Sequence, residues 1–341
     1  MASGTAQATA AAQGPGSKTS TAANSSNLQY DPDFWRIIAP FGSIKPPEPT
    51  NVRALRATTD TAVATTLGVY PLPSSVAETK LSFLARDNTT LTITRFSTDL
   101  AVPNGPAAIY LHEGGTVCGS VPIVKQDIVK YAFATNIPFF AVSYRLAPEH
   151  PYPTAVEDAY AALEWLRDHA GEQHVDPARI ALWGASAGGL LGCAVALMAR
   201  DRGFSPPIAK QILIYPMLDD RTELAPDHPL TEFLTWTVRS NKIAWDAYLG
   251  AGKRASADVS PYAAPGRAEH VAGLPKTYID VGGLDLFKDE CIAMAARLAK
   301  ANVEVEFHLY PGVSHAWDYM AQEISVTRRA VENRVSALKS I

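Results

Sequence analysis

The chain has 341 residues, a formal net charge of −4 and a hydrophobic share of 47%. That length suits one large globular domain or two smaller ones, and the mild acidity gives no basis for a nucleic-acid or anionic-membrane partner. The three cysteines, Cys118, Cys193 and Cys291, stand far apart with no CxxC pair and no Cys/His cluster. They read as reduced, mostly buried thiols of a cytoplasmic protein, with neither a disulfide nor a metal site expected.

Residues 1–28 are mostly Ala, Ser, Thr, Gln and Gly, with a single lysine and no acids. They lack the apolar core of a secretory signal and the arginines of a mitochondrial presequence, and read as a disordered tail. The "GPGSKTS" at 14–20 is not a phosphate loop, because the Gly-Lys pair, a preceding strand and a following helix are missing. Residues 29–60 hold an aromatic-rich piece, "YDPDFWRIIAPFG", followed by Pro46-Pro47-Glu48-Pro49. From Val76 to Ser97 two alternating runs flank Arg86-Asp87-Asn88, the pattern of an antiparallel hairpin. Short apolar runs then alternate with helical periodicity. Strands are expected at 107–111, 137–143, 179–183, 211–215, 277–281 and 303–310, and helices at 122–135, 154–169, 187–201, 286–300 and 321–339. The fold class is therefore α/β: a mostly parallel central sheet with helices on both faces. The longest apolar run, Gly189 to Ala199, is far short of a membrane span. Residues 219–260 are too long for an ordinary connection and include Phe233, Trp236, Trp245 and Tyr248, which suits a packed helical insertion, a lid over a pocket, or both.

The strand "RIALW" runs into Gly184-Ala185-Ser186-Ala187-Gly188-Gly189 and then an apolar helix. This is G-x-S-x-G in its required context of strand, tight turn and helix. Glycines flank the serine because the turn leaves no room for side chains, and Ser186 stands at a helix N-terminus, where developing negative charge is favoured. Ser186 is the expected nucleophile. It needs a base, and the base needs an orienting carboxylate. Of the later histidines, His228 and His270 lie in or just after the insertion. His308 falls on the polar side of its strand with Glu304 and Glu306, so an exposed position is expected for it. His315 follows the last strand in the loop "YPGVSHAW", at the carboxyl end of the sheet where active sites of such folds lie. For the acid, Asp285 lies just beyond the strand "TYIDV" and its Gly282-Gly283 end, with Asp280, inside that strand, as the competitor. Ahead of all these, "LHEGGTVCGS" at 111–120 follows an apolar run and has the look of a loop offering backbone N–H groups to an oxyanion.

With these motifs in order, the chain resembles the hormone-sensitive-lipase-like (bacterial family IV type) esterases of the α/β-hydrolase superfamily over most of 76–320. "LHEGGTVCGS" looks like that branch's His-Gly-Gly-Gly loop, "YRLAPEHPYP" at 144–153 is nearly its usual pattern, and "GASAGG", "DLFKDE" and "GVSHAW" resemble its nucleophile, acid and histidine segments. The resemblance implies an α/β-hydrolase fold, a triad of Ser186, Asp285 and His315, and an oxyanion hole made by the N–H groups of Gly114, Gly115 and Ala187. It also implies a cap contributed by about 29–60 and 219–260 of a single domain spanning 29–341, and a pairing among Arg145, Glu149 and Asp158. Four positions depart from the pattern: Glu113 replaces a glycine, Thr116 an aromatic residue, Ala185 an aspartate and Leu286 a proline.

Glu113 is the departure that matters for chemistry. An ionised carboxylate about 5 Å from the oxyanion would cost about 3 kcal/mol at an effective dielectric near 20, slowing acylation roughly a hundredfold. The side chain is therefore expected to point away and pair with a donor; the alternatives are that it faces the pocket and binds a substrate hydroxyl or amine, or that the site no longer runs plain ester hydrolysis. Because the chain gains a carboxylate at 113 and lacks one at 185, Glu113 is expected to replace the aspartate usual before the serine. The function that emerges is a serine carboxylic-ester hydrolase working through an acyl-enzyme on short- or medium-chain or aromatic esters. It calls for no cofactor and no metal, and its partner is a small-molecule ester. The aromatic residues of 29–41 and 233–248 suggest the walls of an apolar pocket. An acyltransferase or lactone-handling enzyme shares the same chemistry up to the acyl-enzyme. A ligand-binding receptor on this scaffold is disfavoured by the intact His315. Oligomeric state, a homodimer included, stays open.

Overall fold

The computed structural model describes residues 1, 27–42 and 44–341. The tail expected at 1–28 and the "GPGSKTS" segment fall almost wholly outside the described residues. Two helices precede the sheet: α1 (Pro32–Ile38), capped by the Asp31 side chain, and α2 (Val52–Gly68), whose N-cap Asn51 accepts the Ala54 N–H at 3.0 Å. The hairpin β1 (Val76–Leu84) and β2 (Thr90–Thr98) follows, then β3 (Gly105–Leu111), α3 (Val121–Thr135), β4 (Phe139–Val142), α4 (Thr154–Asp168) and the single turn α5 (Ala170–Gln173). Next come β5 (Val175–Ala185), α6 (Ala187–Asp201), β6 (Lys210–Ile214), α7 (Val238–Leu249), β7 (Lys276–Gly282), α8 (Lys288–Lys300), β8 (Val305–Tyr310), α9 (Trp317–Met320) and α10 (Ser325–Lys339). None of the helices among the described residues is long and apolar enough to cross a membrane.

The eight strands lie in the order β1-β2-β4-β3-β5-β6-β7-β8. β2 pairs antiparallel with β1 and β4, and every other pairing is parallel. Successive residues of a strand face opposite sides. In β5, Trp183 packs on Tyr131 of α3 at 4.4 Å, whereas Leu182 faces Gly192 of α6. The sheet is therefore covered on both faces: α10 joins α3 on one side through the Arg334–Tyr131 hydrogen bond, and α4 packs with α6 on the other. Because both faces are covered, β3 and β4 are buried, near-continuous apolar runs rather than alternating ones. From β3 the chain moves outward to β4 and then returns to place β5 on the other side. The loops leaving β3 and β5 thus meet at the switch point where ligands bind in open α/β sheets.

Parts of the two segments outside the alternation, including Leu55, Val63, Thr235 and Trp236, line the cavity beside Ser186 and His315. The first is longer than the sequence suggests: α2 continues to Gly68, beyond the expected limit at 60. The final helix is shorter, α10 starting at Ser325, with α9 as a separate turn directly after the histidine loop.

Candidate active site

β5 runs straight into Ser186, which adopts φ 53° and ψ −116°. A non-glycine residue there costs about 1–3 kcal/mol and persists only if its surroundings hold it. The Ser186 N–H donates to the Ile214 carbonyl at 2.8 Å, and its carbonyl accepts from Leu190 and Met217 at 3.0 and 3.1 Å. A Cβ at Gly188 would stand 1.9 Å from the Leu111 carbonyl oxygen, so a glycine is what lets α6 start against the end of β3. Behind the serine, Ala187 to Ala199 are all buried, which anchors the turn in the core.

The His315 loop and the β7 end are stitched together by the Gly283 and Leu284 N–H groups, which donate to the Tyr310 and Val313 carbonyls at 2.6 and 3.0 Å. This brings His315 Nδ1 to 2.7 Å from Asp285 Oδ2 and His315 Nε2 to 3.0 Å from Ser186 Oγ. Asp285 is fully buried, and its other oxygen accepts the Phe287 N–H at 2.9 Å. With Nδ1–H donated to the carboxylate, Nε2 is left as the acceptor for the serine hydroxyl. The rings of Tyr215 and Phe287 meet the imidazole edge-on at 4.8 and 5.1 Å and fix its plane. The competitor Asp280 is also fully buried but serves elsewhere. Arg334 donates to both its oxygens at 2.6 and 3.1 Å, and Tyr278 donates a third bond at 2.9 Å. Arg334 continues to Asp318 at 2.5 Å, and Asp318 accepts the Tyr215 hydroxyl at 3.0 Å, so a buried charge network backs the ring beside His315.

Across the cavity, residues 112–119 form the loop leaving β3. Gly114 and Gly115 take φ of 121° and 61°, and the Gly114 carbonyl accepts the N–H groups of Val117 and Cys118 at 3.0 and 2.9 Å. The N–H groups of Gly114, Gly115 and Ala187 make no hydrogen bond among the described residues, and Gly114 lines the cavity. His112 is buried and held neutral, its pKa pushed down to about 4 by loss of solvent. It stacks on Tyr144 at 4.2 Å and hydrogen-bonds the Glu113 carbonyl at 2.8 Å, while the Tyr144 hydroxyl donates to the His112 carbonyl at 2.7 Å.

Glu113 departs from expectation. Its side chain is buried, yet neither carboxyl oxygen has a hydrogen-bond partner among the described residues, so it neither pairs with a donor nor replaces the missing aspartate at 185. The unfavourable environment is relieved by protonation instead. Burial first, and the Asp127 carboxylate second, push its pKa up to about 8, a shift the nearby Tyr319 hydroxyl offsets only in part. At neutral pH the group is mostly an uncharged acid, which removes the repulsion that an oxyanion would otherwise meet. Glu113 also lines the cavity that holds Ser186 and His315, with its carboxyl oxygens themselves sealed from solvent.

A cavity of about 190 Å³ opens beside Ser186 and His315, walled by Leu55 and Val63 of α2, Val124, Trp236, Met320 and the prolines at 46, 47 and 49. Most of the aromatic residues expected as its walls are elsewhere. Tyr30, Phe34, Trp35 and Phe233 pack on one another, and only Trp236 among the expected aromatics reaches the cavity. Arg145 pairs with Asp158 as expected, at 2.6 and 2.9 Å, but Glu149 does not join them and instead binds Arg56 of α2 at 2.7 Å. His308 is half-buried rather than exposed, stacked with Tyr310 and 2.8 Å from Glu306. Arg334, Asp318 and Tyr215 were not singled out from sequence. An arginine in the otherwise apolar stripe Val326, Ala330, Ala337 and Leu338 of α10 was the available signal for a buried ion pair.

Residues 108–319 match the family model described as an α/β hydrolase fold. The chain is 35% identical over 244 residues to the esterase LipI of Mycobacterium tuberculosis, covering 69% of this chain and 73% of that protein. It is also 31% identical over 235 residues to the gibberellin receptor GID1A of Arabidopsis thaliana, covering 64% and 67%. Among solved structures, a bacterial heroin esterase superimposes with a TM-score of 0.83 at 32% identity, covering 92% of this chain and 98% of that one. The chain belongs to the α/β-hydrolase fold family, in its hormone-sensitive-lipase-like esterase branch.

Proposed function

We propose that the protein is a serine carboxylic-ester hydrolase that works through an acyl-enzyme. The observation that carries this reading is the relay from Ser186 through His315 to Asp285, at 3.0 and 2.7 Å, facing a cavity with unused backbone donors on its other side. His315 Nε2 takes the Ser186 proton as Oγ attacks the ester carbonyl carbon. Asp285 holds the imidazole in the required tautomer and stabilises the imidazolium. The carbonyl oxygen becomes an oxyanion bound by the N–H groups of Gly114, Gly115 and Ala187, at the start of α6 where the helix dipole adds to the effect. The imidazolium then gives its proton to the leaving alcohol, and a water molecule activated by His315 repeats the sequence to release the acid.

The small, largely apolar cavity supports short or medium acyl groups or aromatic esters as substrates. The segments 29–68 and 219–260 would act as its cap. Several relatives are named as esterases or carboxylesterases, which supports the same reaction. The receptor reading, suggested by the relative GID1A, is opposed by a complete and well-oriented nucleophile and base, which a binding protein has no need to retain.

The test is a panel of p-nitrophenyl esters of increasing acyl length with pre-steady-state detection. A burst of one nitrophenolate per active site, lost in Ser186→Ala, is expected. No burst and no turnover at any acyl length would refute the hydrolase reading.

A further inference from the structure

The loop that carries Gly114 and Gly115 closes on itself, with both Val117 and Cys118 donating to the Gly114 carbonyl. That arrangement leaves two of its outward peptide groups, the Val117 carbonyl and the Gly119 N–H, without partners inside the loop. Both are taken by α2, an element outside the central sheet. Arg56 Nε donates to the Val117 carbonyl at 2.5 Å, and Asp60 Oδ1 accepts the Gly119 N–H at 2.7 Å. The residues are four apart and so lie one turn above the other on a single helix face. Their charges match the peptide groups they meet: the cation holds a carbonyl oxygen and the anion holds an N–H, both charge-assisted and stronger than neutral bonds. Gly119 is itself wedged against the loop, since a Cβ there would stand 2.5 Å from the Glu113 carbonyl oxygen. Arg56 also ties down the neighbouring segment, donating to the Ala147 carbonyl at 2.8 Å and to both oxygens of Glu149 at 3.0 and 2.7 Å. Thr116 is linked to that segment in turn, its carbonyl accepting the Ala147 N–H at 3.0 Å.

We infer that Asp60 and Arg56 are positioning residues for the oxyanion hole, so that α2 completes the active site as well as lining its cavity. The inference rests on the hydrolase reading above. Neither side chain is assigned to contact the reacting atoms. They act by fixing the Gly114–Gly119 backbone, whose N–H groups stabilise the transition state only if they are already aimed at the oxyanion. A displacement of order 1 Å is enough to cost about a hundredfold in rate.

The experiment compares Asp60→Ala, Asp60→Asn and Arg56→Gln with the wild-type full chain on p-nitrophenyl acetate. Active sites are counted by end-point fluorophosphonate labelling, so unfolded protein does not enter kcat. Affinity for a boronic-acid transition-state analogue is measured in parallel. Asp60→Ala is expected to lower kcat about 10- to 100-fold, to shift KM by less than about threefold, and to weaken the boronic acid by the factor seen in kcat/KM. Asp60→Asn keeps an acceptor at Oδ1 and should recover most of the rate, a rescue that general loss of stability would not produce. Arg56→Gln should show the same kcat pattern. Wild-type kcat in Asp60→Ala or Arg56→Gln, a loss confined to KM, or no rescue by Asn would each overturn the inference. A wild-type protein that neither labels nor turns over would instead overturn the hydrolase reading on which it rests.

Discussion

The two sides of the cavity handle buried acid groups in opposite ways. On the histidine side every buried carboxylate has a partner: Asp285 holds His315 and the Phe287 N–H, while Asp280 and Asp318 share Arg334. On the side of the loop leaving β3, Glu113 is also buried but its carboxyl oxygens have no hydrogen-bond partner among the described residues, and its pKa rises to about 8. Burial pushes the pKa of Asp280 up as well, although Arg334 and Tyr278 donate to it, whereas the cations Arg334 and Lys130 hold Asp318 below its ordinary value against its own burial. Donors and cations that replace lost water therefore offset burial to different degrees. On the proposed mechanism, a charge is useful beside an imidazole that must become cationic, and harmful beside an oxygen that must become anionic.

That contrast can be broken most sharply at Asp285. Asp285→Asn keeps the shape but removes the charge and permits the wrong imidazole tautomer, and kcat should fall by about 10³- to 10⁴-fold in steady-state assays. Asp280→Asn, five positions earlier, should leave kcat per active site nearly unchanged, and a comparable loss there would reverse the assignment of the two acids. Next in size is Arg334→Met. It leaves Asp280 and Asp318 buried without their cation and should cost about 3–5 kcal/mol in urea unfolding. A change under about 1 kcal/mol would mean that the network contributes little as a charged unit.

At Glu113 the signature is pH dependence rather than a loss seen at a single pH. Folding raises its pKa from the ordinary value of 4.5 to about 8, so the folded state keeps a proton that the unfolded chain releases. The stability from this group is complete below about pH 4.5 and is lost as pH rises towards 8, at up to about 1.4 kcal/mol per pH unit. The groups set around it are Asp127 of α3, Asp318 and Tyr319 of α9, Tyr110 of β3, Tyr144, Tyr215 and Cys118. Glu113→Gln mimics the protonated acid and removes the titration. Its stability relative to wild type should therefore improve between pH 5 and pH 8 in thermal unfolding, and an equal difference at both values would show that Glu113 is not neutral in the fold. In activity assays the same variant should lose part of the alkaline fall in kcat.

What could be read from sequence was local. The elbow at Ser186 is spelled out by a strand, two flanking glycines and an apolar helix, because a strained turn tolerates few residue types. The strand and helix runs from 107 onward were legible for a similar reason, since burial on both faces leaves unbroken apolar stretches. α2 is absent from the elements expected from sequence. Its Ala/Thr-rich sequence lacks a clear apolar stripe. The choice between Asp280 and Asp285 was limited in the same way, because it depended on Arg334, more than fifty positions later.

The sequence by itself determined the fold class and pointed to Ser186, His315 and, ahead of Asp280, Asp285 as the proposed triad, since each is written in residue types that a few neighbouring bonds demand. Only the tertiary structure decided which carboxylate faces His315, that Glu149 binds Arg56 rather than Arg145, and that Glu113 is left without a partner. Those outcomes depend on donors and charges brought from distant parts of the chain. Electrostatic environment is set by what surrounds a group in space, and no window of sequence contains it.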